Sequence, residues 1–318
     1  MITAWLLSGL GLLILLLAGD ALVKGAVNLS LRIGIPALIV SLTIVAFGTS
    51  APELLISIKA VLDGVPGLAL GNVVGSNTAN ILLVLGIPAL LATMHTSECD
   101  TRKSYIHMIA ATLLFIGLAY RGVFDWIAAL ILLVALAAML LDAARDAMAH
   151  RGSDAAAVDE EELEGLDPDM PGWRIGLFLA LGLIGLPLGA SLLVDNATVI
   201  AKEFGVSDTV IGLTLVAIGT SLPELATTVI AALRRQADVV LGAVIGSNMF
   251  NLLAIIGVAS LVGPITVDPE FLRFDLWVML GASLLLIPFV YLKQNITRIW
   301  GIILTVLYAG YIYIVLAS

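Results

Sequence analysis

Long apolar stretches alternate with short polar connections along the 318 residues of this chain. Ten of these stretches approach or exceed the length of a transmembrane helix, which needs about 20 mainly apolar residues. They lie near residues 2–18, 35–60, 66–94, 104–120, 123–141, 175–194, 206–233, 239–264, 276–292 and 299–317. The period-two alternation typical of a transmembrane barrel is absent from the sequence. The pattern therefore predicts an all-α integral membrane protein with ten transmembrane helices.

The composition supports this class. The chain is 60% hydrophobic and only 12% charged, and its mean hydropathy is +1.11, whereas soluble domains carry about 25% charged residues. No basic residue precedes the first apolar stretch, so we expect it to remain as a helix and not to act as a cleaved signal. Cys99 is the single cysteine, which excludes an intrachain disulfide and a cysteine-based metal site.

The formal charge of −9 is concentrated in one segment. Between Asp142 and Gly172 there are ten acidic residues against two basic ones, a net charge of −8. Such a segment is typical of a solvated connector, and weak cation sensing is the alternative interpretation. About thirty residues are too few for a folded regulatory domain, and the run DEEELEGLDPD lacks the spacing of an EF-hand loop.

The basic residues predict the orientation in the membrane, because Lys and Arg are enriched in cytoplasmic loops. With the N-terminus outside, eleven of the fifteen Lys and Arg residues fall on the inner side. We therefore expect a multi-pass protein of the cell (inner) membrane, with both termini outside and the acidic loop 143–172 in the cytoplasm.

A long internal repeat links the two halves of the chain. Shifting the sequence by 171 residues superposes Thr43–Gly86 on Thr214–Gly257 without a gap, with 20 identities in 44 positions. The shared skeleton contains GTSxPE and GSNxxN motifs. Five helices precede the acidic loop and five follow it, so the second copy enters the membrane from the opposite side. The sequence predicts two inverted five-helix repeats, 1–142 and 173–318, an arrangement common among secondary transporters.

Each GTSxPE motif places a glutamate, Glu53 or Glu224, inside an apolar stretch. A charge at the bilayer centre costs about 2.5–3.5 kcal/mol on insertion scales, and two neighbouring carboxylates repel each other unless a cation or a proton intervenes. No Lys or Arg lies at membrane depth in the predicted helices. We therefore interpret the pair as cation ligands; protonation of each glutamate, or its pairing with a basic residue, is the alternative.

The residues around each glutamate favour an open helix. Pro52 cannot donate to the carbonyl of Gly48 and crowds it, so a kink is expected there, with carbonyls freed at Ala46 and Thr49. The second repeat has the same arrangement at Gly219, Pro223, Ala217 and Thr220. Carbonyl, hydroxyl and carboxylate oxygens suit a hard cation such as Ca²⁺, Na⁺ or Mg²⁺.

The GSNxxN motifs add polar side chains on one helix face. Residues four apart share a face, which pairs Ser76 with Asn80 and Ser247 with Asn251. The intervening Asn77 and Asn248 fit two interpretations equally: a hydrogen bond between helices or a ligand role.

On these motifs the chain resembles the Ca²⁺/cation antiporter superfamily, which includes the sodium/calcium exchangers, and most of all its prokaryotic inner-membrane members. The resemblance implies an antiporter that binds Ca²⁺ and Na⁺ in mutually exclusive states at midplane sites, with helices 1 and 6 sliding across a core of helices 2, 3, 7 and 8. Glu53 and Glu224 would be the central ligands shared by both ions. The other implied ligands are Thr49 and Thr220; Ala46, Ser50 and Ser247 at one flanking Na⁺ site; Ala217, Ser221 and Ser76 at the other; and Asn80 and Asn251 in the middle.

One position departs from the family pattern. Some members carry aspartate where this chain has Asn251, so the site charge is −2 from the two glutamates, and K⁺ coupling is disfavoured. The coupling ion stays open between Na⁺ and H⁺, because a desolvated glutamate can carry a proton near neutral pH. We expect Ca²⁺ and Na⁺ as transported ions and the lipid bilayer as surroundings, without a cofactor, nucleic acid or obligate protein partner.

Three rival functions remain. A passive cation channel would share buried ligands, but it is normally a symmetric oligomer around one pore. An intramembrane hydrolase would need a buried base beside Ser50 or Ser76, and His95, His107 and His150 all fall at predicted helix ends or in loops. A purely structural membrane protein would have no need of two buried glutamates beside prolines.

Overall fold

The computed structural model describes residues 2–97, 99–150, 167, 169–205 and 217–317. Within these residues, seven helices are long and apolar enough to cross a membrane, and a bent helix pair gives an eighth candidate. The chain is thus a multi-pass helical membrane protein. Two parts of the sequence expectation, the residues 206–216 of the seventh predicted helix and the residues 151–166 of the acidic loop, lie outside the described residues.

The described residues of the first half form eight α-helices, two π-helical segments and one short strand. In chain order they are α1 (Ile2–Ile33), α2 (Ala37–Val40), π1 (Ser41–Val45), α3 (Ala46–Thr49), α4 (Ala51–Leu62), α5 (Pro66–Ala79), π2 (Asn80–Val84), α6 (Gly86–Leu91), α7 (Arg102–Ala119), β1 (Val123–Phe124) and α8 (Trp126–His150).

The described residues of the second half follow a related order. They form α9 (Gly172–Glu203), α10 (Ala217–Thr220), α11 (Leu222–Leu233), α12 (Ala237–Phe250), π3 (Asn251–Ile255), α13 (Ile256–Val262), β2 (Ile265–Thr266), α14 (Pro269–Arg273), α15 (Asp275–Leu284), α16 (Ile287–Val290) and α17 (Arg298–Ala317).

The repeated sequence folds into repeated elements. Helices α3, α4 and α5 and segment π2 have the same lengths as α10, α11, α12 and π3, and each boundary differs by 171 residues. The short strands β1 and β2 pair antiparallel, so the loop before α8 is joined to the loop after α13. A second cross-link is an isolated bridge between Met94 and Ile296.

Several helix ends differ from the sequence expectation. Helix α1 continues to Ile33 and does not end near residue 18, because its charged turn is paired. Lys24 lies 2.9 Å from Asp20, which also pairs with Arg234, the residue that follows α11. Helix α8 extends to His150, into the region expected as loop. The predicted helix 276–292 is interrupted between α15 and α16, where Pro288 opens the second piece.

Helices α1 and α9 pack along each other in antiparallel fashion through glycines. A Cβ atom at Gly182 would lie 2.5 Å from Leu22 Cβ, and one at Gly11 would lie 2.6 Å from the backbone nitrogen of Leu193. Close backbone approach through small residues is a usual way for helices to associate in a bilayer. The two long helices therefore form one tightly joined pair.

The central helices are the most enclosed part of the molecule. Within an 18-residue apolar stretch of each span, 83% of the residues are buried in Pro66–Leu91 and 94% in Ala237–Val262, against 17% in Trp126–Asp146. Helix α12 packs against α2 and π1, where a Cβ atom at Gly242 would lie 2.6 Å from the carbonyl oxygen of Leu38. The peripheral helices expose large apolar side chains, as expected for contact with lipid.

Candidate functional site

The helix break predicted from the GTSxPE motif is confirmed. Ser50 leaves helical geometry (φ −83°, ψ 3°) and Ser221 does the same (φ −89°, ψ 4°). The two halves of the first bent helix, Ala37–Thr49 and Ala51–Leu62, differ in direction by 42°. The break places each glutamate in the first turn of a new helix, α4 or α11.

Glu53 and Glu224 are buried and close enough to interact electrostatically. Their exposed fractions are 1% and 3%, so water screens the repulsion between the carboxylates very little. The Ser50 hydroxyl donates to Glu224 Oε1 at 3.5 Å. One oxygen of each glutamate, Oε2, has no hydrogen-bond donor among the described residues.

Most of the remaining candidate side chains are buried with the glutamates. Ser221 Oγ and Ser247 Oγ lack a partner among the described residues. Buried candidates are Ala46, Thr49, Ser50, Ser76, Asn80, Ser221, Ser247 and Asn251. Thr220 is half-buried, and the side chain of Ala217 lies outside the described part of the chain.

The sequence predicted a free carbonyl at Ala46, but this carbonyl is hydrogen-bonded in the structure. It accepts the backbone N–H of Ser50 at 3.0 Å and the hydroxyl of Thr49 at 3.3 Å, so the break does not free it. The chain turns at Ser50, which keeps an i−4 hydrogen bond through the turn. A ligand role for the Ala46 carbonyl would require the Thr49 hydroxyl to release one of its two lone pairs.

Three of the four asparagines of the GSNxxN motifs, Asn77, Asn80 and Asn248, bond one another between the repeats. Asn77 Nδ2 donates to the carbonyl of Asn248 at 3.2 Å, and Asn248 Nδ2 donates to the carbonyl of Asn77 at 3.4 Å. Asn80 Nδ2 donates to Asn248 Oδ1 at 3.0 Å. Asn77 and Asn248 therefore form hydrogen bonds between helices, whereas Asn80 Oδ1 and Asn251 Oδ1 lack a donor among the described residues.

Two polar residues that were not predicted support the glutamate backbones. Asn72 Nδ2 donates to the Glu53 carbonyl at 3.3 Å and to Ser57 Oγ at 3.1 Å. The hydroxyl of Thr228 donates to the Glu224 carbonyl at 2.8 Å and contacts the Val84 carbonyl of the other repeat at 3.2 Å. The sequence held a signal for Asn72, because it precedes Ser76 by one helical turn.

Helix α9 lies directly over both GTS turns. A Cβ atom at Gly48 would overlap Leu183 Cδ2, and one at Gly219 would lie 2.6 Å from Val194 Cγ2. Because Gly48 and Gly219 have no side chain, Leu183 and Val194 of α9 can pack against the site. Such a cover keeps water away from the carboxylates.

The donor set has the chemistry of a hard-cation site. Its oxygens come from carboxylates, hydroxyls and amides, the ligands that suit Ca²⁺ and Na⁺. Among the described residues there is no cluster of three or more His, Cys, Asp and Glu.

Comparison with known proteins identifies relatives along the whole chain. The family model described as sodium/calcium exchanger protein matches residues 3–142 and 175–317. The sodium/calcium exchanger MaX1 of Methanosarcina acetivorans is 34% identical over 343 residues, covering 96% of each chain. The Ca²⁺/H⁺ antiporter ChaA of Bacillus subtilis is 24% identical over 257 residues, covering 75% of this chain and 72% of its own.

A solved structure has the same fold. The sodium-calcium exchanger NCX_Mj, studied after soaking with zero Na⁺ and Ca²⁺, superposes with a TM-score of 0.84. The two sequences are 31% identical, and the match covers 99% of each chain. The motifs, the fold and these matches agree: the chain belongs to the sodium/calcium exchanger protein family.

Proposed function

We propose that this protein is a secondary active antiporter that exchanges Ca²⁺ for Na⁺ by alternating access. The observation that carries the proposal is the burial of Glu53 and Glu224 at equivalent positions of the two repeats, with Ser50 of the first motif in contact with the Glu224 carboxylate of the second. The proposed role of the protein is transport and not catalysis of a chemical reaction.

The carboxylate pair supplies a physical basis for coupling. Two buried negative charges are unfavourable unless cations neutralise them. The loaded site can cross the apolar barrier, whereas the empty charged site crosses it at a high cost. Because both ions use the same carboxylates, the flux of one requires the counterflux of the other.

The proposed ligand set places the glutamates at the centre. Thr49 and Thr220 add hydroxyl or carbonyl oxygens; Ala46, Ser50 and Ser247 form one flanking Na⁺ site; Ala217, Ser221 and Ser76 form the other; Asn80 and Asn251 complete the middle. The close packing of α12 on α3 and of α10 on α5 supports this grouping.

For the architecture, we propose ten transmembrane helices in two inverted repeats, 1–142 and 173–318, separated by the cytoplasmic loop 143–172. The constant offset of 171 between equivalent elements supports two copies of one unit. Both termini would lie outside the cell (inner) membrane.

Alternating access is proposed to occur by movement of the α1–α9 pair across the central helices. The glycine contacts that join α1 to α9 favour movement of the two as one body. Apolar side chains such as Leu183 would then slide over the GTS turns.

Proton-coupled exchange of Ca²⁺ is the second candidate. The relative ChaA is a Ca²⁺/H⁺ antiporter, which supports this candidate, and a desolvated carboxylate can carry a proton. The site charge of −2 balances one Ca²⁺ and can equally be neutralised by two protons.

The deciding experiment is ⁴⁵Ca²⁺ uptake into proteoliposomes under separately imposed Na⁺, K⁺ and pH gradients. Na⁺/Ca²⁺ exchange predicts uptake only when Na⁺ is inside and can leave. Uptake driven only by an internal proton load would establish the second candidate. Uptake that needs no counter-ion would indicate a channel and overturn the proposal.

A further inference from the structure

The geometry points to Asn248 as a positioning residue of the cation site. We propose that Asn248 Oδ1 holds the amide of Asn80 so that Asn80 Oδ1 is presented to the transported cation. This inference rests on the proposed function, because it assigns a role within the same site.

The local backbone explains why asparagines are needed at 77 and 248. The π-helical segments π2 and π3 begin at Asn80 and Asn251. In an i→i+5 pattern the backbone donors are displaced by one residue relative to an α-helix, so carbonyls in the preceding turn become available to other donors. Asn77 and Asn248 each donate to the carbonyl of the other across the repeat interface. This reciprocal pair, which we call the amide clamp, joins α5 to α12.

Asn248 has a second role that follows from the planarity of the amide group. Asn80 Nδ2 donates to Asn248 Oδ1 at 3.0 Å. An amide has its donor and acceptor on opposite sides, so fixing the nitrogen fixes the direction of the oxygen. Asn80 Oδ1 is buried and has no donor among the described residues. A reversed amide would turn an N–H group toward a cation, which is repulsive.

The two halves of the amide clamp differ in this second role. The repeat-equivalent bond would run from Asn251 Nδ2 to Asn77 Oδ1, but Asn77 Oδ1 lacks a donor among the residues that the structure describes. Asn77 and Asn248 thus each contribute one bond to the clamp, and only Asn248 also orients a candidate ligand. The chain therefore provides a matched control at Asn77.

The test is equilibrium binding of ⁴⁵Ca²⁺ to the purified full-length protein. Loss of one buried hydrogen bond at the site predicts that Asn248→Ala weakens Ca²⁺ binding about tenfold, and that Asn77→Ala weakens it less than about threefold. Asn80→Ala combined with Asn248→Ala should bind less than about threefold more weakly than Asn80→Ala alone, because only the clamp bond of Asn248 is then lost. Asn80→Ala combined with Asn77→Ala should show additive effects.

Equal losses for Asn248→Ala and Asn77→Ala, or additive effects of Asn248→Ala and Asn80→Ala, would overturn the inference and leave the proposed function intact. If either alanine variant does not fold, Asn248→Ser and Asn77→Ser are compared by the same criteria, since serine is too short to reach Asn80. A wild-type protein that binds no Ca²⁺ would overturn the proposed function and this inference together.

Discussion

The hydroxyl of Ser50 donates a hydrogen bond to Glu224 Oε1 at 3.5 Å, from one repeat to the other. The first GTSxPE motif therefore completes the surroundings of the glutamate that belongs to the second, whereas Ser221 Oγ of the second motif has no partner among the described residues. A site built in this way needs both repeats, which explains why the motif occurs twice in one chain.

The first prediction concerns the two carboxylates. Glu53→Gln or Glu224→Gln removes one of two negative charges while nearly preserving side-chain volume, so Ca²⁺ exchange should be lost and membrane insertion retained. The measurement is ⁴⁵Ca²⁺ uptake per inserted protein. Glu203→Gln, at the exposed end of α9, is the control and should exchange like the wild type. Exchange at the wild-type rate in either site variant would contradict the assignment.

The second prediction concerns the contact between α9 and the first GTS turn. Gly48→Ala places a Cβ atom where Leu183 Cδ2 lies, so the Leu183 side chain must repack or α9 must move away, and exchange should slow about tenfold or more. Leu183→Ala should restore activity in the double variant by clearing the space. Gly9→Ala in α1, where a Cβ atom meets nothing within 4 Å, is the control. A double variant as slow as Gly48→Ala alone would show that this contact does not matter.

The third prediction concerns the ion pair between Asp20 of α1 and Arg234 at the end of α11. The repeat-equivalent residues, Ser191 and Asp63, do not pair across helices: Ser191 bonds Asp195, and Asp63 lies 2.5 Å from Lys59. The ion pair should therefore stabilise the position of α1 seen here relative to the position that α1 takes after the α1–α9 pair has moved across the central helices. A partly exposed pair is worth roughly 1 kcal/mol, so Asp20→Asn should shift the ratio of the two arrangements about fivefold.

Hydrogen–deuterium exchange of the backbone amides in the C-terminal half of α1 measures this shift. Hydrogen–deuterium exchange should become faster in Asp20→Asn and stay unchanged in Asp63→Asn. The second variant breaks only the exposed pair between Lys59 of α4 and Asp63, which follows the helix. Identical behaviour of the two variants would argue against a role for the ion pair in holding α1.

The fourth prediction concerns Asn72, which donates to the Glu53 carbonyl and to Ser57 Oγ. Asn72→Ala removes two hydrogen bonds and should lower the free energy of unfolding by about 1–2 kcal/mol, with a severalfold weaker Ca²⁺ affinity. Ser57→Ala removes only the second bond and should have the smaller effect on both quantities. Thermal unfolding and Ca²⁺ binding of the purified variants provide the test, and a larger effect of Ser57→Ala would be contrary to this role.

The sequence predicted the helix break at the GTSxPE motif better than it predicted the helix ends. Proline and glycine spacing was enough to locate the break at Ser50, because the missing N–H of Pro52 acts locally. The end of α1 was placed too early, because Asp20 and Lys24 appear as unpaired charges in a hydropathy profile. Their partners, including Arg234, come from tertiary packing.

Other features could not be predicted for a related reason. The π-helical segments starting at Asn80 and Asn251 are stabilised by bonds between the repeats, and no local propensity encodes them. The sequence left two roles open for Asn77, a hydrogen bond between helices or a ligand of the cation. These roles differ only in the atoms that Asn77 contacts. Three-dimensional contacts were needed to separate them.

The most direct measurement is a crystal structure of the protein soaked with Ca²⁺ or Sr²⁺, with the ion located from anomalous scattering. We predict a peak between the carboxylates of Glu53 and Glu224, within bonding distance of an oxygen from each. A peak bound elsewhere, or carboxylates that face lipid with no ion between them, would contradict a shared cation site formed by the two repeats.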